Sequence, residues 1–381
     1  MLIVSTQNFP PSAGGIQTLM EGLARAASAH LPVHVVADAC AGDAAFDARD
    51  RPYRMSRASG PKPLRRRAKA RRVARMAGAP GVAGVVCDSW KSAEHLGALP
   101  VPVLAYAHGN EFPSEGQPDA RKSERIRRAF AHVDHVIAVS SHTAGRVRPL
   151  LGDGTALHVH PNPVETPPDP GPEDEAWARA QWEGLGPADG LRCLTLCRLI
   201  DWKGVDQSIY AQAQLRDAGR AARLLVAGDG PDRARLDGLV ETLDLGDRVR
   251  FLGPVHGARK SALYASSELF VQPGRTVGNQ CEGFGITYLE AAWHGVPSVA
   301  GRDGGAPDAV LDGRTGWLVD GHETPEIVAA LTSAIDAPDR RTHMGGAARK
   351  RARELVWPRR IHAVLDLLDM RSRREGTNVS G

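Results

Sequence analysis

Short apolar runs alternate with amphipathic helical segments along the first 160 residues of the chain. The segments between the runs predict helices, for example over 17–30 and 123–131. The predicted strands are Met1–Thr6, Val33–Ala37, Gly84–Cys87, Val101–Ala107 and His135–Val139. Continuous apolar strands separated by helices are typical of a parallel sheet that is covered by helices on both faces.

The same alternation returns in the second half of the chain. The predicted strands there are Leu191–Leu196, Ala222–Ala227, Val249–Phe251, Leu269–Gln272 and Ser298–Ala300. Helices are predicted over 205–218, 232–243, 286–293 and 325–336, and a last amphipathic helix over 357–370 has no strand after it. The pattern predicts an α/β protein of two Rossmann-like, doubly wound domains that face a cleft, with ligands at the carboxyl ends of the strands.

The boundary between the two halves is marked by composition. Residues 161–187 are rich in Pro, Gly, Asp and Glu, which is typical of a linker. We therefore predict a first domain over 1–165, a linker over 166–187, a second domain over 188–356 and a terminal helical segment over 357–381.

Composition narrows the class of protein. A chain of 381 residues is long enough for two domains, and 42% hydrophobic with 24% charged residues is usual for a soluble globular protein. The start of the chain has no basic segment followed by a long apolar run, and no stretch of about twenty apolar residues could span a bilayer. Five scattered cysteines favour free thiols in a reducing compartment over a metal site. We expect a cytoplasmic protein.

The net charge of +4 conceals an asymmetry between the two halves. Residues 1–160 carry 21 Lys and Arg against 13 Asp and Glu, a net charge of +8, and the remaining residues carry a net charge of −4. The basic half should attract an anionic surface or partner, and this attraction should weaken as salt is added.

Much of that charge lies in one run, because eight of the fourteen residues from Lys62 to Arg75 are lysine or arginine. On a helix they would lie around most of the circumference rather than on one face. Two interpretations stay open: a peripheral contact with anionic lipid at the inner face of the cytoplasmic membrane, and a solvated helix. Nucleic acid is not predicted as a partner, because no aromatic residues or recognition motif accompany the charges.

The most informative motif joins a glycine-rich turn to a predicted helix. Glu282 opens the turn Glu282-Gly283-Phe284-Gly285, and Glu290 lies eight positions later on the helix. A helix start offers free N–H groups and a positive dipole end to a phosphate, while the carboxylates of Glu282 and Glu290 suit sugar and ribose hydroxyls. The motif favours a nucleotide-sugar site, although a glutamate at a helix start also stabilises the helix itself.

Cations and glycines follow other predicted strands of the second half. Arg198 and Lys203 come after the strand that ends at Leu196, where two cations could hold a diphosphate. Gly228 begins the turn Gly228-Asp229-Gly230-Pro231 after the next strand, and its interpretation as a donor-binding turn competes with that of a buried turn without ligand.

Two motifs of the first half are candidates for the same chemistry. Gly14 and Gly15 join the first strand to the first helix, where paired glycines allow a ligand close to the backbone or form a simple tight turn. His108 directly follows the strand that ends at Ala107, where it could bond to a sugar or acceptor hydroxyl or serve a structural role.

Taken together, the order of these motifs resembles glycosyltransferase family 4. The resemblance covers nearly the whole chain and extends through Gly295-Val296-Pro297 and the segment 304–319. Within the family the chain is most similar to phosphatidylinositol mannosyltransferase-like enzymes, on the basis of Pro273–Thr276 and Gly304–Pro307. Trp293 and His294 depart from the family pattern, which usually has small residues there.

The resemblance implies a GT-B fold, an acceptor-binding first domain, a nucleotide-sugar-binding second domain, and a last helix that returns to the first domain. It also implies that the anomeric configuration of the sugar is retained. The residues it assigns to catalysis are His108, Arg198, Lys203 and Glu282. The residues it assigns to donor binding are Gly14, Gly15, Gly228, Val255, Phe284, Gly285 and Glu290.

The function predicted from the sequence is transfer of a hexose, with mannose favoured, from a nucleotide-diphosphate sugar to a lipid-linked or envelope glycan. GDP-mannose is the leading donor, and a UDP-sugar used for glucosyl or N-acetylglucosaminyl transfer to a small molecule or polysaccharide is the alternative. No Asp-x-Asp motif follows a strand, so we predict no metal and no cofactor. A non-catalytic nucleotide-sugar binding protein and a sugar-nucleotide epimerase are the rival functions.

Overall fold

Two parallel sheets, one in each of two units of the chain, carry the fold. The computed structural model describes residues 1–114 and 116–377, with the side chains up to 369. The first unit contains Met1–Glu165 together with the chain from Leu355 onward, and the second contains Thr166–Glu354. Residues 378–381 of the predicted terminal segment lie outside the described residues.

The first sheet has seven parallel strands within the described residues, in the order β3-β2-β1-β4-β5-β6-β7. Strands and helices of this unit are β1 (Leu2–Thr6), α1 (Gly15–Ser28), β2 (Val33–Asp38), α2 (Asp43–Asp47), β3 (Arg54–Ala58), α3 (Lys62–Ala77), β4 (Gly84–Cys87), α4 (Trp90–Ala93), β5 (Val103–Ala107), α5 (Ala120–Phe130), β6 (His135–Ala138), α6 (Ser141–Val147) and β7 (Ala156–Val159). The order reverses between β1 and β4, which is the switch point of a doubly wound sheet.

The second sheet has six parallel strands in the part of the chain that is described, in the order β10-β9-β8-β11-β12-β13. Its unit contains α7 (Pro172–Gln181), β8 (Leu191–Leu196), α8 (Val205–Asp217), β9 (Ala222–Ala227), α9 (Arg233–Thr242), β10 (Val249–Gly253), α10 (Gly257–Ser266), β11 (Leu269–Gln272), α11 (Ile286–Trp293), β12 (Ser298–Gly301), α12 (Ala306–Ala309), β13 (Gly316–Val319), α13 (Thr324–Asp336) and α14 (Pro338–Glu354). Here the switch point lies between β8 and β11.

All of the predicted strands form. Three further strands, β3, β7 and β13, were not predicted from the sequence. Each of these three strands lies at an edge of its sheet. An edge strand has a neighbour on one side only, and most residues of these three are only partly buried. They therefore lack the continuous apolar run that identifies a central strand of a parallel sheet.

Part of the segment 166–187, which was predicted as a linker, is helical. Residues Pro172–Gln181 form α7, and the structure assigns them to the second unit. The guanidinium of Arg259 on α10 lies 5.1 Å from the ring centre of Trp177 and 3.8 Å from Asp174 of α7. The Pro- and Gly-rich composition of the segment indicated an irregular connection. Acidic residues at the start of α7 instead stabilise a helix that packs on the second unit.

The last helix of the described residues is α15 (Trp357–Thr377), which belongs to the first unit. Its apolar residues Trp357, Ile361, Val364 and Leu368 are buried at helical spacing. The helix packs on α1, where a β-carbon added at Gly22 would lie 2.0 Å from Nε1 of Trp357. The last helix therefore contributes to the core of the unit in which the chain begins.

Candidate functional site

The switch point of the second sheet brings together the two most informative motifs. Arg198 follows β8 by two residues, and the turn that begins at Glu282 follows β11, which pairs with β8. The carboxyl ends of these strands lie at one edge of the sheet, because the strands are parallel. Ligands of doubly wound folds bind at this place.

Lys203 and Glu282 form the ion pair at this edge. Lys203 ends a short 3₁₀ helix, Asp201–Lys203, and its Nζ lies 2.6 Å from Oε2 of Glu282. The same oxygen accepts a hydrogen bond of 3.1 Å from Nε2 of Gln272, the last residue of β11. The hydroxyl of Tyr288 donates to the carbonyl of Gln272 at 2.7 Å, so the group that orients Glu282 is itself anchored.

Arg198 differs from Lys203 in that no carboxylate of the described residues pairs with the Arg198 side chain. Its side chain is exposed, and within the described residues it makes no ion pair or hydrogen bond. A guanidinium that is not engaged by a carboxylate can offer both arms of its fork to a phosphate oxygen pair. Lys203 is therefore neutralised by Glu282, whereas Arg198 has no ion-pair partner in the part of the chain that is described.

The loops that carry these cations are fixed by close backbone contact. Gly204 adopts φ 72°, and a β-carbon there would lie 2.1 Å from the carbonyl oxygen of Pro273. Arg275 donates two hydrogen bonds of 2.8 Å to the carboxylate of Asp206 in the first turn of α8. Burial alone would raise the pKa of the Asp206 carboxyl, but the hydrogen bonds and charge of Arg275 hold it below its ordinary value.

Glu290 lies on α11 and is held by two side chains of α10. Nζ of Lys260 lies 2.7 Å from its Oε1, and the Tyr264 hydroxyl donates to its Oε2 at 3.1 Å. Burial, and then the charge of Glu290, raise the pKa of Tyr264 well above its ordinary value, so this hydroxyl keeps its proton. His294 stacks on Tyr264 with 5.9 Å between ring centres, and burial lowers the pKa of His294 to about 4.

Three of the predicted donor-binding residues can offer only backbone groups. Phe284 is buried, so its ring belongs to the core, and Gly285 caps the N-terminus of α11 with φ 94°. The first N–H groups of a helix have no partner within it and suit an anionic ligand. Val255 lies in the turn between β10 and α10.

Gly228 has a structural requirement that the sequence could not reveal. It adopts φ 134°, and a β-carbon there would lie 1.8 Å from the carbonyl oxygen of Cys197. Its N–H donates to the carbonyl of Gly253 at 2.8 Å. The glycine lets the loops after β8, β9 and β10 pack against one another, which accounts for its presence without a ligand.

In the first unit, Nε2 of His108 makes a hydrogen bond, whereas Nδ1 makes none within the described residues. Its Nε2 lies 2.7 Å from the carbonyl oxygen of Asp88, and its ring stacks on that of Tyr106 with 6.1 Å between centres. A carbonyl can only accept, so Nε2 carries a hydrogen. In the neutral ring Nδ1 is then an acceptor that suits a substrate hydroxyl.

Asp88, which the sequence analysis missed, organises the strand ends around His108. Its carboxylate is fully buried, and one oxygen accepts from Thr6, from the backbone N–H groups of Gln7 and Asn8, and from the Asn8 side chain, at 2.9–3.2 Å. The other oxygen accepts from Ser92 at 2.6 Å. A buried carboxylate with this many donors fixes the start of the loop that follows β1.

That loop leads to the predicted glycine pair at the start of α1. Gly14 is the N-cap of the helix with φ 152°, and Gly15 is its first residue; both are exposed. The structure therefore places Gly14 and Gly15 with His108 in the first unit, and the other predicted site residues in the second.

The residues that orient the site escaped sequence analysis as a group. They are Asp88, Lys260, Tyr264, Gln272 and Tyr288. Four of them hold a predicted residue and Tyr288 holds Gln272, in each case from another part of the chain, so no fixed spacing connects the partners. The one available signal was Gln272, a polar residue at the end of an apolar strand.

The basic run lies on α3, and only part of it faces solvent. Lys69 is buried, and its Nζ lies 2.8 Å from Oδ1 of Asp38, which also pairs with Arg65 at 2.9 Å. Arg66 lies 3.5 Å from Glu94. The five cations that remain exposed are Lys62, Arg67, Arg71, Arg72 and Arg75.

Within the described residues, no helix is long and apolar enough to cross a membrane. Over the same residues, no group of three or more His, Cys, Asp or Glu side chains is arranged to hold a metal ion.

Comparisons of the sequence agree on one enzyme class. The profile of Glycosyltransferase Family 4 matches residues 13–167, and that of Glycosyl transferases group 1 matches residues 183–351. The chain is 33% identical to a GDP-mannose-dependent alpha-(1-6)-phosphatidylinositol monomannoside mannosyltransferase of Mycolicibacterium smegmatis, over 92% of both chains. A Mycobacterium tuberculosis protein of the same description is 32% identical over the same shares.

Comparisons of the structure agree on the fold. Sucrose-phosphate synthase from Thermosynechococcus elongatus superposes with a TM-score of 0.73 and 22% identity, over 100% of this chain and 99% of that one. Anabaena HepE in complex with UDP gives a TM-score of 0.76 and 20% identity, over 96% and 99%. The prediction of a GT-B fold with two Rossmann-like domains is confirmed.

Proposed function

Because the chain belongs to glycosyltransferase family 4, we propose that it transfers mannose from GDP-mannose to a lipid-linked or envelope glycan acceptor, with retention of configuration. The observation that carries the transfer chemistry is the ion pair of Lys203 with Glu282 beside the exposed Arg198 at the switch point of the second sheet, together with Glu290 on α11. The choice of mannose is supported by the names of the mycobacterial relatives, which are 32–33% identical over nearly the whole chain.

In this proposal the second unit binds the donor. Arg198 and Lys203 hold the diphosphate, and Glu290 accepts hydrogen bonds from the ribose hydroxyls. Glu282 binds the transferred sugar, to which the amides of Phe284 and Gly285 also point. The backbone around Val255 meets the base.

Charge stabilisation of the leaving group is the main catalytic effect that we propose. The acceptor hydroxyl attacks the anomeric carbon on the face from which the diphosphate departs. As the new glycosidic bond forms, the bond from the anomeric carbon to the phosphate oxygen breaks, and the hydroxyl proton passes to the departing diphosphate. Arg198 and Lys203 stabilise the charge that develops there, so we propose that no metal ion or cofactor is required.

The first unit serves the acceptor side in this proposal, and His108 binds a substrate hydroxyl through Nδ1. Its geometry supports that role, because the bond to Asp88 fixes the ring and leaves one nitrogen as an acceptor. Gly14 and Gly15, which are exposed at the start of α1, stay predicted donor-binding residues, because a glycine lets a phosphate approach the backbone.

The donor is tested by a thermal-shift panel of GDP-mannose, UDP-glucose, UDP-galactose, UDP-GlcNAc and the free nucleotides. At a concentration of one hundred times Kd, a ligand that binds only the folded protein adds about 2.7 kcal/mol of stability. For a unit of this size we expect GDP-mannose and GDP to raise the Tm by about 5–10 °C. A response to UDP-sugars alone would overturn the choice of donor and leave the class of enzyme intact.

We also propose that α3 contacts anionic membrane at the inner face of the cytoplasmic membrane. Arg67, Arg71 and Arg75 lie along one exposed side of the helix, near Leu64, whose side chain is 63% exposed. An exposed leucine beside a row of cations suits an anionic bilayer surface, since each cation contributes about 1 kcal/mol.

Sedimentation with vesicles of phosphatidylglycerol and phosphatidylcholine tests this contact. We expect Arg67→Gln/Arg71→Gln/Arg75→Gln to weaken binding to the anionic vesicles by about tenfold or more. The control, Arg340→Gln/Lys350→Gln on α14, removes exposed charge elsewhere and should bind as the unmodified protein does. Equal binding by the two variants, or binding that added salt does not weaken, would remove the membrane from the proposal.

A further inference from the structure

A cavity of about 460 Å³ lies in the second unit, at the amino ends of β8 and β9. Its volume is within the usual range for a small-molecule site. Residues of α7 and α10 line it together with the second residue of each of the two strands. We call it the amino-end cavity, and its lining includes Arg179, Trp182, Arg192, Arg223, Ala262 and Ala265.

The amino-end cavity lies at the opposite edge of the second sheet from the candidate donor site. Arg198 follows the carboxyl end of β8, whereas Arg192 lies near the amino end of that strand. At a rise of about 3.3 Å per residue, the two positions are about 20 Å apart. No residue predicted for catalysis or donor binding lines this cavity. A ligand in it would therefore occupy a second site.

Two arginines lie side by side at the strand ends. Arg192 of β8 and Arg223 of β9 are partners in the register of these parallel strands, so their side chains lie on the same face of the sheet. Like charges directly opposite each other on neighbouring strands are destabilising. Burial, and then the charge of Arg192, lower the pKa of Arg223. The fold therefore holds two cations together against their repulsion.

The packing of the unit accounts for Arg223. Its guanidinium is buried and donates to four backbone carbonyls at 2.8–3.3 Å. These carbonyls belong to Trp182, Leu185, Ala188 and Gly190. Arg223 therefore ties the segment before β8 to β9, and no ligand is needed to explain this residue.

The packing does not account for Arg192 in the same way. Arg192 donates through Nε to the carbonyl of Ser266 at 2.8 Å, and its two Nη groups make no hydrogen bond within the described residues. Glu268 lies 3.7 Å from the same Nε, beyond hydrogen-bond distance, and accepts a hydrogen bond of 2.8 Å from Arg341. The outer face of the Arg192 guanidinium is thus left for another partner.

A third arginine and an apolar surface complete the lining. Arg179 of α7 is 64% exposed, and within the described residues it pairs only with Glu175, at 3.5 Å. An exposed pair of this kind contributes little stability, so Arg179 can turn to a ligand at small cost. Ala262 and Ala265 of α10 add methyl groups without polar side-chain atoms. The cavity therefore presents two guanidinium forks beside an apolar surface.

We propose that the amino-end cavity is a second ligand site, which binds a small organic anion through a carboxylate or a phosphate group. Arg179 and Arg192 hold the anionic group, since the fork of a guanidinium matches the geometry of both groups. The apolar part of the ligand lies against Ala262 and Ala265. The anion also offsets the repulsion between Arg192 and Arg223. No residue of the candidate donor site takes part, so the proposal does not depend on which sugar is transferred.

Ligand-observed NMR titration of the full chain tests this proposal with phenyl phosphate, benzoate and the neutral benzyl alcohol. We expect a charged probe to bind more tightly than benzyl alcohol, and Arg179→Gln/Arg192→Gln to weaken its binding by about 10- to 100-fold. The matched control, Arg340→Gln/Lys350→Gln, removes two exposed cations of α14 in the same unit and should bind the probe as the unmodified protein does.

A second variant fills the cavity without changing its charge. Ala265 is exposed in the last turn of α10, so leucine, a good helix former, should leave the Tm unchanged there. Its larger side chain takes space that the ligand needs, and we expect Ala265→Leu to weaken binding of the charged probe by about tenfold. This variant repeats the test should Arg179→Gln/Arg192→Gln not fold.

An anion could also bind at the candidate donor site, and Arg198→Gln separates the two places. We expect this variant to bind the charged probe with unchanged affinity. Weaker binding by Arg198→Gln would overturn the proposal, as would equal binding of charged and neutral probes, or an unchanged affinity in Arg179→Gln/Arg192→Gln. Tight binding of phenyl phosphate alone would assign a phosphate to the ligand, and tight binding of benzoate alone would assign a carboxylate.

Discussion

Replacing Arg198 by glutamine is expected to lower kcat by about 100- to 1,000-fold, the usual loss when one charge-stabilising donor is removed from a transition state. The side chain is exposed and makes no ion pair within the described residues, so its removal breaks no contact that folding uses. The Tm should therefore stay within about 1 °C, since surface substitutions away from such contacts rarely exceed 0.5 kcal/mol. Initial rates of GDP release at saturating donor, with a melting curve for each protein, measure both effects.

Lys203→Met is the informative partner of this variant. It removes a cation of the same proposed role, but among the described residues it leaves the Glu282 carboxylate with only the Gln272 hydrogen bond. Both side chains are largely buried, so we expect a loss of about 1–3 kcal/mol of stability together with the loss of activity. A rate near that of the unmodified enzyme for Arg198→Gln would remove Arg198 from the leaving-group site.

Gly228→Ala is expected to cost about 3–5 kcal/mol of stability, from backbone strain and steric overlap together. The residue adopts φ 134°, and the added methyl group would lie 1.8 Å from the carbonyl oxygen of Cys197. The loops after β8 and β9 would have to separate, and the loop after β8 carries both Arg198 and Lys203. Chemical denaturation followed by tryptophan fluorescence measures the free energy of unfolding.

Gly246→Ala is the control for that variant. Gly246 lies between α9 and β10, it has no positive φ, and a β-carbon there would meet nothing within 4 Å. Its substitution should change stability by no more than about 0.5 kcal/mol. If Gly228→Ala were as stable as this control but bound donor poorly, Gly228 would act on the ligand and not on the packing of the loops.

The central part of each sheet could be predicted from sequence because burial on both faces leaves a signal in the sequence itself. A strand such as β9, Ala222–Ala227, is buried throughout and contains almost only apolar residues. The edge strand β3, Arg54–Ala58, is partly exposed and reads RMSRA, which no periodicity separates from a loop. Burial by neighbouring strands, and not propensity alone, decides which strands can be recognised in the sequence.

The candidate site, like the sheets, could be predicted from sequence only in part. Arg198 could be identified because it follows a strand, and Glu282 because it opens a glycine-rich turn before a helix. The ion-pair and hydrogen-bond partners of each residue could not be predicted, because the fold brings these partners from other parts of the sequence. Lys203 looked like a free cation and is paired with Glu282, while Glu290 is held by Lys260 from another helix.

The basic run on α3 illustrates that composition does not predict which charged side chains are exposed. Eight cations within fourteen residues indicate a uniformly charged helix, yet Lys69 is buried against Asp38 and Arg66 lies 3.5 Å from Glu94. Asp38 belongs to β2 and Glu94 directly follows α4, so both partners are distant in sequence. Only the fold could separate them from the cations that remain exposed.

An NMR spectrum of the products formed from GDP-mannose and phosphatidylinositol vesicles in the presence of EDTA tests the proposed transfer of mannose. We expect one GDP released for each mannosyl-lipid formed, with the sugar in the α configuration of the donor. Formation of a β-mannoside, release of free mannose alone, or conversion of the donor into another nucleotide sugar without acceptor would contradict it.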